Sequence, residues 1–517
     1  MFMPLQVILL VLIVLLYPIT SGVSIIRLSP AAVLAIVLLT QALPVFFAWR
    51  RTRLARRPAG SQGGSRESDP VARAQFPLRL ARLRNMVIMI LAADLWLLGF
   101  GRLVWVVWRL HRWPLVAQVI WLIPPALSWL GIWSVSYRTQ ARLHAQRAAA
   151  NPHIPSYGYP SRPAYLWMQM RHNILPALLL LGMQSLISLV LGGFWVRQAG
   201  YWAIPLGLAM VLSMIIFLPW ALVRIWDTRP LGPGTPRKDF EDIAGRWRIC
   251  FSDIRVWNTH HLVPNAAIIS PVRWFRYFLL TDLLLENFNT RELRAVFAHE
   301  VGHARHRHIL WYFAAIIAIQ LFCGDLARSL TILWPHQRNL WTVLEYMLLM
   351  VFLVWGFSRI SRLCEHQADW FAARQLAEEP LSSGESGVTP PAAVPLASVA
   401  GYLGWRAPRE AAAPAAVELY NYYDCMSVFE YSPAGRDSPL LAGARTFSTA
   451  LLHLAALADI SPGRAGWMHP SIHARVTLLG RLAQSPEAQR DFQRRIRRLH
   501  WLIIMAVLVA IGLTAAL

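Results

Sequence analysis

The sequence predicts a mainly α-helical membrane protein that crosses the bilayer several times and carries a small β-sheet in a less apolar region. Of its 517 residues, 56% are hydrophobic and the mean hydropathy is +0.41. A soluble multidomain protein of that length is far less apolar. Several apolar runs are long enough to cross a bilayer. Residues 240–290 instead mix short apolar runs with turn residues, which indicates the small sheet.

Nine apolar runs are predicted to span the membrane, about six of them within residues 1–225. They lie at about 4–26, 31–49, 85–108, 115–137, 174–195, 202–224, 309–324, 340–358 and 499–517. The first run lacks a basic start and a small-residue cleavage site. It is therefore predicted to be a retained span rather than a signal peptide.

The formal net charge of +23 has two explanations, nucleic-acid binding or membrane topology. Its basic residues cluster in loops between apolar runs, with ten Arg from Arg50 to Arg84 and more in 138–173, whereas the loops around Arg27 and Arg197 carry few. Such alternation sets topology and meets anionic lipid headgroups. We therefore expect no nucleic-acid partner, and the Arg-rich loops are predicted to be cytoplasmic.

Asp94 and Arg102 lie inside the third apolar run, about two helical turns apart and on one face. Charged residues within a membrane are costly and usually functional. This spacing predicts an ion pair, a snorkelling Arg or the wall of a polar cavity.

The stretch His299–His308 contains the motif His299-Glu300-x-x-His303. On a helix this spacing puts both imidazoles on one face, close enough to share a Zn²⁺. Thr290 is a plausible N-cap, and the apolar residues after it have helical spacing. Zinc with three protein ligands keeps a position for water and polarises a scissile carbonyl. The first hypothesis is thus peptide hydrolysis with Glu300 as the base, and the alternative is a solvated basic helix end.

A third ligand is available in the stretch 361–374, which contains neither Gly nor Pro. Glu365 and Asp369 stand four residues apart on one helical face. One carboxylate can bind zinc while the other accepts the free ring N–H of a ligand His. An ordinary surface helix with acids at helical spacing remains the alternative.

These motifs resemble the membrane zinc metallopeptidases that include the CAAX prenyl endopeptidase and HtpX-type proteases. The resemblance covers about 225–480, with the motifs in family order. Besides the zinc motif and Glu365-x-x-Ala-Asp369, it rests on Asn265-Ala266 before the strand-like 277–285, and on Met468-His469-Pro470-Ser471 with Arg475 beyond.

The resemblance implies a zincin-like HExxH metallopeptidase domain that binds one Zn²⁺ per chain. Its zinc ligands would be His299, His303 and Glu365, with Glu300 as the catalytic base. It also implies that His469, together with Arg475, stabilises the transition state. The segment Asn265-Ala266 would begin the strand edge to which an extended substrate adds itself. A plain core strand is the alternative for this stretch.

We expect three domains, separated near the Pro- and Gly-rich stretch 228–236. They are a membrane bundle at 1–225, a metallopeptidase domain at 226–497 and a last span at 498–517. The second would be interrupted by a membrane hairpin at about 309–358 and by a flexible Pro-, Ser-, Ala- and Gly-rich insertion at about 376–415.

Because the two ligand-bearing helices flank this hairpin, the zinc is expected near the cytoplasmic surface of a bacterial inner membrane. The expected substrates are peptide bonds of membrane or unfolded proteins, with prenylated CAAX-type proteins as the alternative. A non-catalytic scaffold would have a closed four-ligand zinc site with His306 or His308 as the extra ligand, but their spacing on the helix directs both away from the site. A transporter would have internally repeated, broken spans. Four scattered Cys predict no disulfide framework. Nothing in the sequence indicates an oligomeric state.

Overall fold

The structure is a computed structural model and divides into two compact units. The described residues are 28–55, 70–150, 157–192, 203–378, 438–458 and 460–516, with the single residues 13, 426 and 429. The first unit comprises Met1–Gln146, Gly158–Asp227 and Gln337–Val343, and the second comprises Arg147–Tyr157, Thr228–His336 and Leu344–Leu517. Apart from residue 13, the predicted span at 4–26 lies outside the described residues.

Apolar runs form the helices before residue 226, because a helix satisfies its backbone polar groups internally. These helices are α1 (Pro30–Ala55), α2 (Pro70–Trp96), α3 (Phe100–Arg102), α4 (Pro114–Ala150), α5 (Arg162–Gln169), α6 (Leu175–Gly192) and α7 (Ala203–Ile225). A π-helical turn at Leu103–Val107 extends α3, and another at Met170–Ile174 joins α5 to α6.

The third predicted span is broken rather than continuous. The first segment ends at Trp96, and Gly99, with a left-handed φ of 80°, precedes the second, which is bent by 63° from the first. The predicted common face of Asp94 and Arg102 is therefore wrong, because the two residues lie on different helices. The buried Asp94 carboxylate instead accepts hydrogen bonds from Thr40 Oγ1 at 3.0 Å and Gln41 Nε2 at 2.9 Å.

In the described part of the chain, six helical segments are long and apolar enough to cross a membrane, or seven if the bent pair is one span. They are Pro30–Arg53, Pro114–Gln146, His308–Leu333, Leu340–Ala377, Pro439–Ala458 and Pro486–Ala515. This is fewer than the nine predicted, one of which lies almost wholly outside the described residues. The prediction of an integral membrane protein with several spans is confirmed.

A four-stranded mixed sheet lies in the second unit, as predicted. Its strands are β1 (Thr228–Pro230), β2 (Asp253–Trp257), β3 (Ala266–Ile269) and β4 (Tyr277–Thr281), in the order β1-β2-β4-β3. The pair β2–β4 is parallel and the other two pairs are antiparallel. All five residues of β4 are buried, whereas β3 forms one edge of the sheet.

The helices after residue 230 include the two that carry the candidate site. They are α8 (Thr235–Arg246), α9 (Asp282–Asn287), α10 (Thr290–Arg305), α11 (His308–Leu333), α12 (Arg338–Val351), α13 (Phe357–Ala377), α14 (Pro439–Ala458), α15 (Ile472–Gln484) and α16 (Pro486–Ala516). A π-helical turn at Phe352–Gly356 joins α12 to α13.

An aromatic core fixes α10 against the sheet. Phe297 of α10 lies 4.4 Å from the ring of Phe240 in α8 and 4.5 Å from that of Phe278 in β4. Ala444 and Phe447 of α14 belong to the same core. Although α14 is long and apolar enough to cross a membrane, half of its most apolar stretch is buried. Its apolar face is therefore explained by this core.

The predicted insertion at 376–415 begins inside a helix, because α13 continues to Ala377. The remainder of the insertion, from residue 379, lies outside the described residues. Cys250, Cys323 and Cys364 are free thiols, and Cys425 also lies outside the described residues.

Candidate metal centre

The helix α10, which carries the zinc motif, begins with a capping box. Asn289 is the N-cap: its side chain accepts a hydrogen bond from the Glu292 N–H at 2.9 Å, and Glu292 Oε2 accepts one from the Asn289 N–H at 3.1 Å. This reciprocal pair satisfies two backbone donors at the helix start. The predicted N-cap, Thr290, is wrong by one position, because Thr290 is the first residue of the helix.

Two ligand candidates on α10 meet a third on α13. The Nε2 atoms of His299 and His303 lie 3.1 Å apart. Glu365 places Oε1 3.4 Å from His303 Nε2 and Oε2 3.8 Å from His299 Nε2. Among the described residues, these three form the only group of three or more His, Cys, Asp or Glu that could hold a metal ion.

The donor atoms of this cluster fit a zinc ion. Tetrahedral zinc with bonds of about 2.0–2.1 Å separates its ligand atoms by about 3.3–3.5 Å. Here the two Nε2 atoms are 3.1 Å apart, and the nearest Glu365 oxygen is 3.4 Å from His303 (Oε1) and 3.8 Å from His299 (Oε2). With one ligand atom taken from each residue, the three atoms lie within 4.8 Å of one another. Two imidazole nitrogens and a carboxylate that face a common point are donor atoms of the kinds that zinc binds. Two His and one Glu are also a ligand set of catalytic zinc sites.

Close helix packing brings Glu365 to the two histidines. A Cβ at Gly302, inside the zinc motif, would lie 3.2 Å from Ala368 Cα and 3.1 Å from the Phe371 ring. A side chain at this position would push against α13, so glycine favours this close approach of α10 to α13. On the other side of α13, a Cβ at Gly443 of α14 would lie 2.9 Å from the Ala377 nitrogen. Two glycines thus hold α13 between α10 and α14.

Behind His299 lies a buried charged pair. Asp369 Oδ1 is 2.9 Å from His299 Nδ1, and its other oxygen accepts a hydrogen bond from Arg475 Nε at 2.8 Å. Arg475 belongs to α15, which begins after the N-cap Ser471. Burial alone would lower the pKa of His299, but the hydrogen bond and charge of Asp369 outweigh it and raise that pKa. The Asp369 carboxylate likewise keeps the pKa of Arg475 above its usual value against the effect of burial.

The Nδ1 atom of His303 faces a neutral side chain, whereas that of His299 faces a charged one. His303 Nδ1 lies 2.9 Å from Nδ1 of His308, the first residue of α11. Burial lowers the pKa of His303 well below its usual value, although the charge of Glu365 opposes this.

His469 contacts the Glu365 carboxylate. Its Nδ1 lies 2.8 Å from Glu365 Oε2, while 42% of the His469 side chain stays exposed. The Ser358 hydroxyl of α13 donates a hydrogen bond to the Trp467 carbonyl at 2.7 Å and so fastens this loop to the ligand helix. The role of His469 in stabilising the transition state stays a prediction.

Glu300 contacts the edge strand β3 rather than Glu365 or Asp369. The N–H of Ile268 in β3 donates to Glu300 Oε2 at 2.7 Å. Asn265 uses its backbone within the sheet, since its carbonyl accepts from the Thr281 N–H at 3.0 Å and its N–H donates to Thr281 Oγ1 at 2.9 Å. Hydrogen-bonded pairs alternate in an antiparallel ladder. Ala266 and Ile268 therefore direct their backbone groups to the free edge.

Two contacts at the site were not predicted from the sequence. Phe447 stacks on His299 with ring centroids 5.7 Å apart, and nothing in the sequence points to this aromatic residue. His308 was expected to point away from the site because the helix was extended through it. The signal for a break at this point is the change from the basic end of α10 to the apolar run of α11.

Comparisons with known proteins identify the same region. Residues 272–388 match the model of peptidase family M48. A protease HtpX homologue from Aeropyrum pernix is 34% identical over 119 residues, which are 22% of this chain and 35% of the relative. The chain thus spans about a third of the length of this curated relative. The crystal structure of S. mikatae Ste24p aligns with a TM-score of 0.35 at 15% identity, covering 68% of this chain and 91% of that one. The family match and the HtpX homologue confirm the predicted resemblance to the membrane zinc metallopeptidases.

Proposed function

From the match of residues 272–388 to peptidase family M48, we propose that this chain is an integral-membrane zinc-dependent endopeptidase. The observation that carries the proposal is the convergence of His299, His303 and Glu365 beside a glutamate at an open strand edge. Its substrates would be peptide bonds of membrane or unfolded proteins.

One zinc ion per chain would be held by His299, His303 and Glu365. When bound, zinc polarises a scissile carbonyl and makes water more acidic. Three protein ligands suit catalysis, because a structural zinc site is closed by four. His308 does not close the site, since its ring contacts Nδ1 of His303 and not the Nε2 that faces the other ligands.

An extended substrate would pair with the free edge of β3. There, Ala266 and Ile268 offer backbone groups that bind a peptide main chain without requiring a particular sequence. The outward direction of the Ile268 N–H, which donates to Glu300 Oε2, supports this proposal. A bound peptide carbonyl would take the place of that carboxylate oxygen. Asn265, directly before the edge residues, would anchor the strand through its two bonds to Thr281.

Glu300 would act as general base and then as general acid. Its carboxylate lies at the strand edge, within reach of a peptide bound there, and takes a proton from the attacking water. It then delivers that proton to the leaving amine. Asp369 holds the His299 ring, and Arg475 holds Asp369. His469 is proposed to stabilise the negative charge that develops on the carbonyl oxygen.

The active site is proposed to face the cytoplasm of a bacterial cell. Support comes from the distribution of Arg, which is dense in 50–84 and 138–173 and sparse in the alternate loops. The ligand helices α10 and α13 are separated by the apolar helices α11 and α12, so both ligand groups would emerge on one membrane side.

The test compares zinc content and cleavage of unfolded casein in detergent-purified wild type, Glu300→Gln and His303→Ala. Wild type should bind one zinc and cleave casein. Glu300→Gln should keep the zinc and lose turnover by a factor of about 100 or more, because the base is gone, and His303→Ala should lose both. Normal cleavage by Glu300→Gln would refute the assigned base. Zinc without cleavage in wild type would favour a non-catalytic scaffold.

A further inference from the structure

A break in the helix directs one buried histidine back towards the zinc motif. The helix α10 ends at Arg305, and Arg307 adopts a left-handed conformation with φ 55°. This turn places His308 against α10, fully buried at 0% exposure. Its Nδ1 lies 2.9 Å from Nδ1 of His303.

The hydrogen bonds continue beyond His308 to α13. His308 Nε2 lies 3.0 Å from Gln367 Oε1, and Gln367 Nε2 lies 3.1 Å from His306 Nδ1. Gln367 is two residues after Glu365. Three side chains thus connect ligand His303 to the helix that carries the third ligand.

Metal binding would fix the direction of every bond in this chain. A neutral imidazole that offers Nε2 to a metal carries its proton on Nδ1. His303 Nδ1 must then donate to His308 Nδ1, and the His308 proton moves to Nε2, where it donates to Gln367 Oε1. The Gln367 amide donates in turn to His306 Nδ1. Each bond has one donor and one acceptor, so the whole set is satisfied in one arrangement.

We propose that His308, Gln367 and His306 form a neutral hydrogen-bond relay that fixes the tautomer and ring orientation of His303 and thereby sets zinc affinity. The proposal rests on the proposed function, because it takes His303 to be a zinc ligand. His308 and Gln367 are positioning residues in this relay. Partners that orient a ligand His typically change metal affinity by 10- to 100-fold when they are removed.

The relay is tested by measuring the zinc dissociation constant through competition with a chelator, on detergent-purified full-length protein. His308→Leu and Gln367→Leu each remove one bond of the relay and should raise the constant by roughly 10- to 100-fold. His308→Asn keeps an acceptor near Nδ1 and should restore most of the affinity. These readouts need no proteolysis.

A matched control lies on the same helix. Gln375 of α13 is 2% exposed and accepts a hydrogen bond from Trp247 Nε1. It lies eight residues after Gln367 on the helix and makes none of the relay's hydrogen bonds. Gln375→Leu removes a buried amide of the same kind and should lower the thermal midpoint without changing zinc affinity. If it weakened zinc binding as much as Gln367→Leu, the effect would be general loosening of α13 and the relay would be refuted.

If the His308→Leu protein failed to fold, the relay would be tested by comparing the zinc affinities of Gln367→Leu and Gln375→Leu. Wild-type zinc affinity in a folded Gln367→Leu protein overturns the relay. Zinc retained by His303→Ala would overturn something different, namely the metal site proposed above.

Discussion

The two histidines of the zinc motif stand one helical turn apart, yet opposite kinds of partner support them. His299 Nδ1 faces Asp369, which is paired with Arg475, whereas His303 Nδ1 faces the uncharged ring of His308. These surroundings shift the two pKa values in opposite directions. Against the effect of burial, Asp369 raises the pKa of His299, whereas burial lowers that of His303.

The difference arises from which helices lie behind each ring. Both supports involve α13, where Gln367 and Asp369 follow the ligand Glu365 at two and four residues. The charged support is completed by α15 and the neutral one by the start of α11. A buried charge must keep its partner, whereas a neutral hydrogen-bond chain loses less when one link is removed. We therefore expect the His299 half of the site to be the more sensitive to substitution.

The largest expected effect comes from breaking the charged half with Asp369→Ala. This change leaves the buried guanidinium of Arg475 without its bidentate partner and the His299 ring without its acceptor. Removing one member of a buried ion pair costs about 3–5 kcal/mol. We expect a markedly lower thermal midpoint in detergent, together with loss of zinc measured by elemental analysis.

A double variant separates stability from metal binding in this half. Asp369→Leu combined with Arg475→Met removes both charges, and such a replacement is often neutral for stability. The thermal midpoint should recover, but zinc binding should stay weak because His299 still lacks its acceptor. A double variant as unstable as Asp369→Ala, or one with normal zinc affinity, would contradict this account of the charged half.

A smaller effect is expected when α13 is displaced as a whole, which alters both halves together. Gly443→Ala puts a methyl group of α14 against the Ala373 carbonyl and the Ala377 nitrogen. Overpacking of this kind costs about 1–3 kcal/mol. Both the thermal midpoint and zinc affinity should fall, the latter because Glu365 and the two supports all move with α13.

Gly245→Ala is the control for this change. Gly245 is an exposed helical residue of α8, and nothing lies within 4 Å of a Cβ built there. Its replacement should be neutral or slightly stabilising, since Ala favours helix. If Gly443→Ala behaved in the same way, the close approach of α14 to α13 would not matter to the site.

Local spacing predicted the parts of the site that one helix determines. The i, i+4 spacing of His299 and His303, and of Glu365 and Asp369, follows from helical geometry and appears in the structure as convergent faces. Contacts set by chain breaks could not be predicted in this way. Arg307 in a left-handed conformation redirects His308, and Gly99 separates Asp94 from Arg102. The turn at Gly99 lies within a continuous apolar run, and the change from a basic to an apolar stretch near Arg307 indicates a break without indicating where His308 is directed.

Tertiary packing determines the remaining contacts, and the smallest predicted effect tests one of them. Phe447 of α14 stacks on His299, with ring centroids 5.7 Å apart. In the described part of the chain, His303 has ring contacts with histidines only. Phe447→Leu should cost about 1 kcal/mol, the scale of an aromatic pair, and weaken zinc binding several-fold in chelator competition.

The matched change Phe288→Leu removes a similar stack on His453, at 4.6 Å, away from the cluster. It should lower the thermal midpoint by a similar amount and leave zinc affinity unchanged. Equal zinc affinities in the two variants would mean that the charged Asp369 support alone orients His299, whereas a difference would show that the two histidines also differ in how their ring faces are held.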